Sequence, residues 1–594
     1  MKRTLSLLLV SALSLFSLGC SAVTPGPKYA IVPKTYPFRL HLDPAAEKTT
    51  EEITLYFING GDIPYVALHE YMPFVGRIYK EDGIGPAAEY VITHPVKNHT
   101  MVTRADNGAM MDISADIDTI EFVDYNRFVS EPESTIILNT INLSDDGRGG
   151  VSNLLKDSGS SYDRGGKVLL VFDMKEYGID LIEQDGVCYV PLQTINDLLV
   201  SQNYKFVVFN GEKVIGCTFS SDLIEEMYEA PTGVMSEAFA KFNYNELRFM
   251  LDTFYGLKEE HDIDNFGDFF SETNLIGDLA GTDPVAFDLA LRRLVMKYLD
   301  DGHSGLKNNS YMTGKTFPNM TPEEEAMGKF DDFGASQNAR VWESVRIKSS
   351  RQQYYPDDPK MDSFDETGGP YHYEEVGDTA IITFDTFTAK KNDYYTEADL
   401  ENPDDTIELI AYAHSQITRE NSPIKNVVVD LSNNLGGAAD AAVFLMSWLS
   451  NDGTAKLALR DTLTGAQSFA SYWADVNFDG EFYVFEDALP SKIARYILTT
   501  SISFSCANLV PASLKGTPNV ILLGLTSGGG TCVVRPCTTA SGAVFLVSSN
   551  RQISYVRNGS MYNVDQGAEP DFTISKFETM YDRQKLVQFI HELP

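Results

Sequence analysis

Short apolar runs separated by Gly, Asp and Asn dominate residues 28–230, and this pattern predicts a region built mainly of β-strands with some helix. Two stretches of this region, which begin at Ile53 and Ile179, are similar to each other. Each predicts a strand, a turn, a strand that ends in Tyr-Val-x-Leu and then a short helix. We therefore predict an internal repeat in which Tyr65–Val66 corresponds to Tyr189–Val190.

The pattern changes after residue 230. Apolar residues at three- and four-residue spacing predict helices in residues 231–306, and the polar, Pro- and Gly-interrupted residues 307–374 predict an irregular linker with some helix. In residues 375–594 strands and helices alternate, which predicts an α/β domain with a largely parallel central sheet. The continuous apolar run Val427–Val429 is typical of a strand that is covered on both faces.

Composition and charge narrow the functional classes. The 594 residues correspond to three or four domains of roughly 150 residues each, and an apolar fraction of 43% excludes a disordered chain. Asp and Glu number 84 against 47 Lys and Arg, so the formal net charge is −37. Such a surface repels phosphate backbones, and we therefore expect no nucleic-acid partner.

The first residues have the pattern of an export signal, predicted over residues 1–20. Lys2 and Arg3 precede an apolar run that is too short to span a bilayer, which takes about 20 residues. Small residues before Cys20 resemble a bacterial lipoprotein signal, in which Cys20 becomes the lipidated first residue. The alternative is an ordinary secretory signal that contains a cysteine. Both predict export, and the first predicts a lipid anchor that holds the protein in the cell envelope, on the extracytoplasmic side of a membrane.

Removal of Cys20 would leave five cysteines, an odd number that predicts at least one free thiol. Cys532 and Cys537 are close enough in the chain to pair across a turn, and Cys188 and Cys217 are candidates to pair across neighbouring strands. Buried free thiols are the equal alternative, because spacing alone does not establish a disulfide.

The repeat in residues 28–230 resembles the small stalk-like domain named after the amino terminus of copper amine oxidases, which occurs in many bacterial surface proteins. The resemblance implies a region that binds or positions another molecule, and it implies no copper site. We interpret His41 and His69, which are isolated in predicted strands, as structural or exposed residues.

Three segments of the second half carry residue types that suit catalysis. His303 stands between two glycines after a predicted helix, which suits a sharp turn that displays a side chain. A strand ends in Gly436–Gly437, where bare backbone N–H groups can face an anion. Ser505 stands at a strand-to-helix junction, where the helix dipole favours the oxyanion of acyl transfer. Singly, each has a structural explanation as a helix cap or a tight turn.

Together, five segments resemble the carboxyl-terminal processing (tail-specific) and tricorn-core family of serine peptidases. The family segments D-G-H-T, D-L-R-x-N-x-G-G, S-x-x-E, i-G-x-x-T-x-G and G-V-x-P-D are matched in order by DGHS, DLSNNLGG, FSCAN, LLGLTSGGG and QGAEPD. The resemblance runs from Met235 to the C terminus. It implies a crotonase-like α/β core, Ser505 as the nucleophile, and an oxyanion hole that combines the N–H of Cys506 with that of Gly436 or Gly437.

Members of the family differ in their general base. The processing-protease branch uses a Lys just after the T-x-G segment, where this chain has Gly529, and no Lys lies between Lys515 and Lys576. We interpret Lys515 as an exposed residue at the end of the helix that starts at Ser505. The tricorn-like branch uses His, which His303 matches, and an unperturbed pKa of about 6.5 suits a base at neutral pH.

The acid that orients His303 is predicted at Asp565, near the place where the tricorn-like branch keeps a carboxylate. Two positions depart from the family pattern, because Gly302 stands where the tricorn type has Ser and Asn508 replaces a frequent Glu. A Cys506 nucleophile is the alternative to a serine nucleophile, although we expect Cys506 to point into the core.

A second motif suggests a metal. Asp475, Asn477, Asp479 and Glu486, with Gly480, match the twelve-residue calcium loop D-x-N-x-D-G-x5-E. The alternative is an acidic turn, because hairpin turns favour the same residue types. A structural calcium ion is therefore one expectation, whereas the predicted chemistry requires no cofactor.

The sequence thus predicts an exported serine endopeptidase that hydrolyses peptide bonds of envelope proteins or peptides. The second hypothesis is a non-catalytic lipoprotein of the same fold that binds a peptide or another ligand. A third hypothesis, an adhesion or scaffold protein, depends on the repeat alone. The pattern makes no prediction of the oligomeric state.

Overall fold

A computed structural model describes residues 29–43, 47–79, 87–130, 138, 141, 151–230, 233–314, 333–355, 371–391, 393–557 and 560–594. Within these residues the chain forms four sheets and many helices, and the mixed α/β class predicted from the sequence is confirmed. The predicted signal and Cys20 lie outside the described residues. In the described part of the chain, no helix is both long enough and apolar enough to cross a bilayer.

The two halves of the predicted repeat meet in the first sheet. Its strands are β1 (Ile31–His41), β2 (Thr49–Ile58), β3 (Tyr65–Ala67), β11 (Ile182–Gln184), β12 (Val187–Pro191), β13 (Lys205–Phe209) and β14 (Val214–Thr218). They lie in the order β11-β12-β3-β2-β1-β14-β13. β3 and β12 are antiparallel, with Val66 opposite Val190, and the helices α1 (Leu68–Ile78) and α3 (Leu192–Ile195) follow them. The two similar stretches are therefore direct neighbours.

A second, antiparallel sheet lies between these halves in the chain. Its strands are β4 (Tyr90–Thr93), β5 (His99–Arg104), β6 (Met110–Ser114), β7 (Thr119–Val123) and β10 (Leu169–Asp173), in the order β10-β7-β6-β5-β4, and the short α2 (Tyr125–Phe128) follows β7. In the first sheet the ring of His41 is hydrogen-bonded to Ser221 Oγ at 2.7 Å. His69, in α1, is exposed.

Helices then lead to the segment that carries His303. They are α4 (Glu237–Phe254), α5 (Phe266–Glu272), α6 (Ile276–Leu279) and α7 (Pro284–Arg293), with a 3₁₀-helix at Asp222–Glu229 and π-helical turns at Asn196–Val200 and Leu294–Tyr298. α7 begins at Pro284 because the side chain of Asp283 accepts a hydrogen bond from the N–H of Val285 at 2.9 Å. These helices share one hydrophobic core with the amino-terminal sheets.

The third sheet combines strands from three parts of the chain. They are β8 (Leu154–Lys156), β9 (Tyr162–Arg164), β15 (Gly305–Asn308), β19 (Thr454–Asp461), β20 (Gln467–Ala474), β23 (Cys532–Thr538), β24 (Val544–Arg557) and β25 (Ser560–Tyr562). β8 and β9, from the amino-terminal region, pair with β20. β15, which directly follows His303, pairs with β24. This sheet therefore joins the amino-terminal region and the His303 segment to the carboxyl-terminal half.

The fourth sheet positions the candidate site. Its strands are β16 (His372–Val376), β17 (Thr379–Thr383), β18 (Asn426–Asp430), β21 (Ala494–Thr499), β22 (Val520–Gly524) and β26 (Phe572–Thr573), in the order β16-β17-β18-β21-β22-β26. The pairs from β17 to β26 are parallel, whereas β16 is antiparallel to β17.

Helices cover both faces of this sheet. The helices of this half are α8 (Ala335–Tyr354), α9 (Tyr394–Glu397), α10 (Thr406–Thr418), α11 (Ala439–Leu449), α12 (Val484–Asp487), α13 (Cys506–Leu514), α14 (Phe577–Tyr581) and α15 (Arg583–His591). Val427 and Val429 lie in the core that includes residues of α10, α11 and α13, and Val428 lies in the core that includes residues of α8, α14 and α15. Successive residues of β18 thus face opposite, covered sides of the sheet, which explains why the run Val427–Val429 is entirely apolar.

Of the two alternatives for the cysteines, the structure shows buried free thiols and not the candidate disulfides. All five described cysteines are free and buried. Cys532 and Cys537 are part of the same strand, β23, and not of two strands joined by a turn. Cys188 is on β12 and Cys217 on β14, and three strands separate β12 from β14 in the sheet. Neither pair therefore has the close approach that a disulfide needs.

A buried acid in α7 makes stability depend on pH. Asp288 is completely buried, its Oδ2 accepts a hydrogen bond from the N–H of Ser310 at 3.0 Å, and burial raises its pKa to about 7. Because this value exceeds the usual Asp pKa of about 3.9, the folded protein binds the proton more tightly. The stability that this group contributes is present at low pH and is lost as the pH rises through about 7.

We expect the unfolding temperature of Asp288→Asn, which mimics the protonated acid, to exceed that of the unmodified protein by more at pH 8 than at pH 5, because the unmodified protein loses stability between these pH values. Calorimetry across this range measures the difference, and Asp116→Asn, at an exposed position, is the control. A difference between Asp288→Asn and the unmodified protein that is the same at both pH values would contradict the assignment.

Candidate active site

Loops that follow three parallel strands meet at the carboxyl edge of the fourth sheet, the edge at which open α/β sheets bind ligands. The loop after β21 carries Ser505, whose N–H donates to the carbonyl of Gly529, in the loop after β22, at 2.9 Å. Phe504 N–H donates to the carbonyl of Asn434, in the loop after β18, at 3.2 Å. These hydrogen bonds hold the three loops in one site.

Ser505 has an unusual backbone conformation. It precedes α13 with φ 55° and ψ −121°, and a positive φ at a non-glycine residue is strained. The α-carbon of Gly436 packs directly against it, since a Cβ on Gly436 would lie 2.7 Å from Ser505 Cβ and 3.2 Å from the nitrogen of Cys506. Glycine is therefore required beside the candidate nucleophile.

Two backbone N–H groups beside Ser505 are available to an oxyanion. Those of Gly437 and Cys506 have no acceptor among the described residues. The N–H of Gly436, the other candidate, already donates to Asn434 Oδ1 at 2.8 Å. Of the two glycines that the sequence left open, the geometry favours Gly437.

Cys506 does not have the properties of a nucleophile. Its side chain is buried, and its thiol donates to the carbonyl of Gly437 at 3.2 Å. Burial raises the pKa of this thiol to about 12, so the thiolate is scarce at neutral pH. The structure therefore agrees with the expectation that Cys506 points inward.

His303 lies beside the residue that precedes Ser505. Its ring centre is 4.8 Å from that of Phe504. Gly302 makes this approach possible, because a Cβ there would lie 2.3 Å from the Phe504 ring. This contact is the physical reason for glycine where the tricorn type has serine. Among the described residues, no hydrogen bond joins the His303 ring to Ser505, and Nδ1 of His303 is buried without a partner.

The charges around His303 offset only part of the effect that burial has on its pKa. Burial lowers the pKa of His303, Asp301 and Asp565 act to raise it, and Arg340 lowers it further, with a net shift below the usual value. A neutral imidazole is the form that can accept a proton.

Sequence reasoning missed Asp301, which builds the turn around His303. Its buried carboxylate accepts hydrogen bonds from the N–H of His303 at 2.9 Å, the N–H of Ser304 at 2.7 Å and the hydroxyl of Tyr255 at 2.8 Å. The sequence could have indicated Asp301, because it stands two residues before His303 in the run Asp-Asp-Gly-His-Ser. The partner Tyr255 is distant in sequence and not recognisable from it.

Asp565 lies next to the segment that follows Gly529. Its Oδ1 accepts hydrogen bonds from the N–H groups of Gly530 at 3.3 Å and Thr531 at 3.2 Å. Its charge acts on the pKa of His303. The structure therefore brings Asp565 near His303, but not into hydrogen-bond contact with it among the described residues.

Asn508 connects the nucleophile helix to the loop of Asp565. Its Nδ2 donates to the carbonyl of Val564 at 2.8 Å, and its Oδ1 accepts from Ser527 Oγ at 2.7 Å. This is the position at which the family frequently has Glu. In this chain the residue supports the loop that carries the candidate orienting acid.

Lys515 is far from Ser505. It lies at the opposite end of α13, about 15 Å along the helix axis for ten residues at 1.5 Å each. Its Nζ donates to the carbonyl of Glu569 at 2.5 Å.

In the described part of the chain, the three carboxylates of the candidate calcium loop, those of Asp475, Asp479 and Glu486, do not form a close group. Asp475 is buried, and its Oδ2 accepts a hydrogen bond from the Tyr395 hydroxyl at 2.8 Å, while its Oδ1 accepts a backbone N–H at 2.8 Å. Asn477 and Asp479 hydrogen-bond to each other at 3.1 Å, and Glu486 is exposed. The pattern forms a hydrogen-bonded turn between β20 and α12, and calcium binding stays a prediction.

Another acidic cluster lies before α10. Asp404, Asp405 and Glu408 place carboxylate oxygens within 4.8 Å of one another. Lys391 forms ion pairs with Asp404 at 2.6 Å and with Glu408 at 2.8 Å. The lysine compensates this charge, and we assign no metal to the cluster.

The chain was compared with known proteins and with protein families. No curated protein matches the chain. Similar solved structures include a lipoprotein from Streptococcus agalactiae, at 16% identity over 60% of this chain and 96% of that chain, with a TM-score of 0.33. They also include a putative peptidase from Parabacteroides merdae, at 14% identity over 59% and 96%, with a TM-score of 0.39. A third is the photosystem II D1 C-terminal processing protease, at 16% identity over 33% and 42%, with a TM-score of 0.25.

A family model matches part of the carboxyl-terminal half of the chain. It covers residues 378–574, which include Ser505, Gly437 and Asp565, and its description is peptidase family S41. The chain therefore contains a serine peptidase domain, a hydrolase whose substrates are proteins or peptides. This domain belongs to peptidase family S41, and the resemblance predicted from the five segments is confirmed. His303 lies outside the matched residues.

Gly436→Ala tests the crowded contact beside Ser505. We expect hydrolysis of a peptide substrate to fall on the order of 10²-fold, because the added Cβ displaces Ser505 from the oxyanion donors. The position also has φ +104°, at which alanine is strained. Gly480→Ala is the matched control, with φ +88° and no atom within 4 Å of the added Cβ. Equal kcat/KM values for the two variants would contradict the expectation.

Proposed function

We propose that this protein is an exported serine endopeptidase in which Ser505 is the nucleophile, His303 the general base and Asp565 the acid that orients the base. One observation carries the proposal. Ser505 is held in a strained turn at the start of α13, beside two N–H groups, of Gly437 and Cys506, that lack acceptors among the described residues. This is the arrangement that acyl transfer needs to stabilise an oxyanion.

The proposed reaction follows from these positions. Ser505 Oγ attacks the carbonyl carbon of the scissile peptide and transfers its proton to neutral His303. The N–H groups of Gly437 and Cys506 donate to the resulting oxyanion. His303 then protonates the leaving amine, and a water molecule, activated by the same histidine, hydrolyses the acyl-enzyme. The unpaired Nδ1 of His303 supports a role for a carboxylate partner such as Asp565. The ring approaches the serine when substrate binds, since catalytic hydrogen bonds are often long without substrate.

The choice of histidine over lysine as the base is part of the proposal. The position of Lys515 at the remote end of α13 and the absence of lysine between residues 516 and 575 support it. The ring of His303 lies against Phe504, adjacent to the nucleophile.

Export, anchoring and domain organisation are further parts of the proposal. A lipid on Cys20 would hold the enzyme on the extracytoplasmic side of a membrane, where envelope proteins or peptides are its substrates. In the proposed domain organisation, an amino-terminal stalk-like region spans residues 28–230 and a helical segment spans residues 231–306. A linker (307–374) and a crotonase-like core (375–594) follow.

Labelling with a fluorophosphonate probe tests the chemistry. On a soluble chain that begins after Cys20, we expect the probe to modify Ser505, as mapped by peptide mass. Ser505→Ala and His303→Ala are expected to abolish the label. Ser501→Ala, at an exposed serine of the same loop, is expected to keep it. Folded protein that takes no label would contradict the proposal and favour a non-catalytic ligand-binding protein.

A further inference from the structure

Helix α8 lies across the candidate site, although it precedes the matched peptidase domain in the chain. Its first turn is capped by Asp300, whose carboxylate accepts from the N–H groups of Ser336 at 2.8 Å and Gln337 at 2.9 Å. Further along, Ser344 Oγ donates to Asn433 Oδ1 at 2.9 Å. The helix is therefore attached both to the segment of His303 and to the loop of Gly437.

Arg340 projects from this helix onto the residue before the nucleophile. Its guanidinium carbon lies 5.0 Å from the centre of the Phe504 ring. Nη2 of Arg340 is buried without a partner, and within the described residues the guanidinium forms no ion pair. Arg340 is partly buried, and the carboxylates that act on its charge, those of Asp300, Asp301 and Asp565, do so without a described ion pair. The position of this cation beside the candidate site points to a role for its charge there.

Phe504 is the surface on which Arg340 and His303 come together. The His303 ring packs on it at 4.8 Å. A Cβ on Gly302 or Gly530 would lie 2.3 or 2.6 Å from the ring, so both glycines pack tightly against it. The tightly packed ring therefore brings Arg340 and His303 to one place, since both side chains contact it.

We propose that Arg340 is a positioning residue that holds the Phe504 ring and, through its positive charge, adds to the effect of burial in favouring the neutral form of His303, which can accept the serine proton. The catalytic consequence rests on the proposed function, whereas the electrostatic effect on His303 does not.

Charged groups from three elements act on His303. Asp301, in its own turn, and Asp565, in the loop before β26, favour the protonated imidazole, and Arg340 on α8 opposes them. Without Arg340, the two carboxylates would act on the ring together. The cation therefore acts with burial, the larger effect, against the two carboxylates.

The test compares three single variants of the soluble chain. Arg340→Met removes the charge but keeps an apolar chain over Phe504, and Arg340→Lys keeps the charge. Arg346→Met is the matched control, because Arg346 lies on the same helix with its guanidinium carbon 5.1 Å from the Phe577 ring centre. The pKa of His303 is measured by NMR of histidine-labelled protein, with the His303 signal assigned from its loss in His303→Gln. Fluorophosphonate labelling is measured in parallel from pH 5 to 8.

We expect the His303 pKa to rise in Arg340→Met and to remain unchanged in Arg340→Lys and Arg346→Met. The ratio of the labelling rate at pH 6 to that at pH 8 is expected to be lower in Arg340→Met than in the unmodified chain, as more of the base becomes protonated. A His303 pKa that does not move in Arg340→Met overturns this inference, whatever the labelling shows. A pKa that rises in a chain that takes no label at Ser505 supports the inference and contradicts the proposed function.

Discussion

Ser505→Ala is expected to lower peptide hydrolysis on the order of 10³-fold or more, because the acyl-enzyme can no longer form. The fold should not suffer, since alanine fits the same backbone and Ser505 is only half-buried. The measurement is kcat/KM on a fluorogenic peptide, with circular dichroism as the check on folding. Hydrolysis that survives in Ser505→Ala would exclude Ser505 as the nucleophile.

Ser505→Gly separates the reaction from the backbone strain. The φ of 55° and ψ of −121° at this position suit glycine far better than serine or alanine. We therefore expect Ser505→Gly to be inactive but more stable than Ser505→Ala by about 1 kcal/mol. Chemical denaturation of the two variants measures the difference, and equal stabilities would show that the strain is small.

Arg583→Ala is expected to destabilise the protein by about 3–5 kcal/mol, because it leaves a buried charge without its partner. Arg583 Nη2 donates to Asp430 Oδ2 at 2.7 Å and to Thr383 Oγ1 at 3.0 Å, and all three residues are buried. Burial acts to raise the pKa of Asp430, but Arg583 and Arg351 outweigh it and lower this pKa. Urea denaturation measures the loss.

Lys585→Ala is the matched control for Arg583→Ala. Lys585 is on the same helix, α15, but half-exposed, where ion pairs contribute little. We expect a change of less than about 1 kcal/mol. A similar effect of the two substitutions would show that the buried pair does not stabilise the carboxyl-terminal helix.

The parts of the site that could be predicted from sequence are those built from local motifs. Ser505, His303 and Gly437 stand in short segments whose glycines and junctions are visible in the chain. The alternation of strands and helices after residue 375 was visible for the same reason. Asp565 was found through its neighbours in a late motif.

The remaining parts depend on contacts between distant segments. Nothing in the polar residues around Arg340 indicates that a helix places this side chain over Phe504. Asp430 opens a recognised motif, but its partner Arg583 lies near the C terminus. The calcium pattern at Asp475 contains suitable oxygen atoms, one of which accepts the N–H of Phe478, and calcium binding stays a prediction.

The mixed origin of the third sheet has a consequence for truncation. A fragment limited to the matched residues 378–574 would keep the serine but lose His303. It would also lose β8, β9 and β15, and thereby expose the unpaired edge of β20 and one side of β24. Open edges of this kind promote aggregation by edge-to-edge pairing. A fragment that keeps this sheet intact is therefore longer than the matched segment and includes strands from the amino-terminal region.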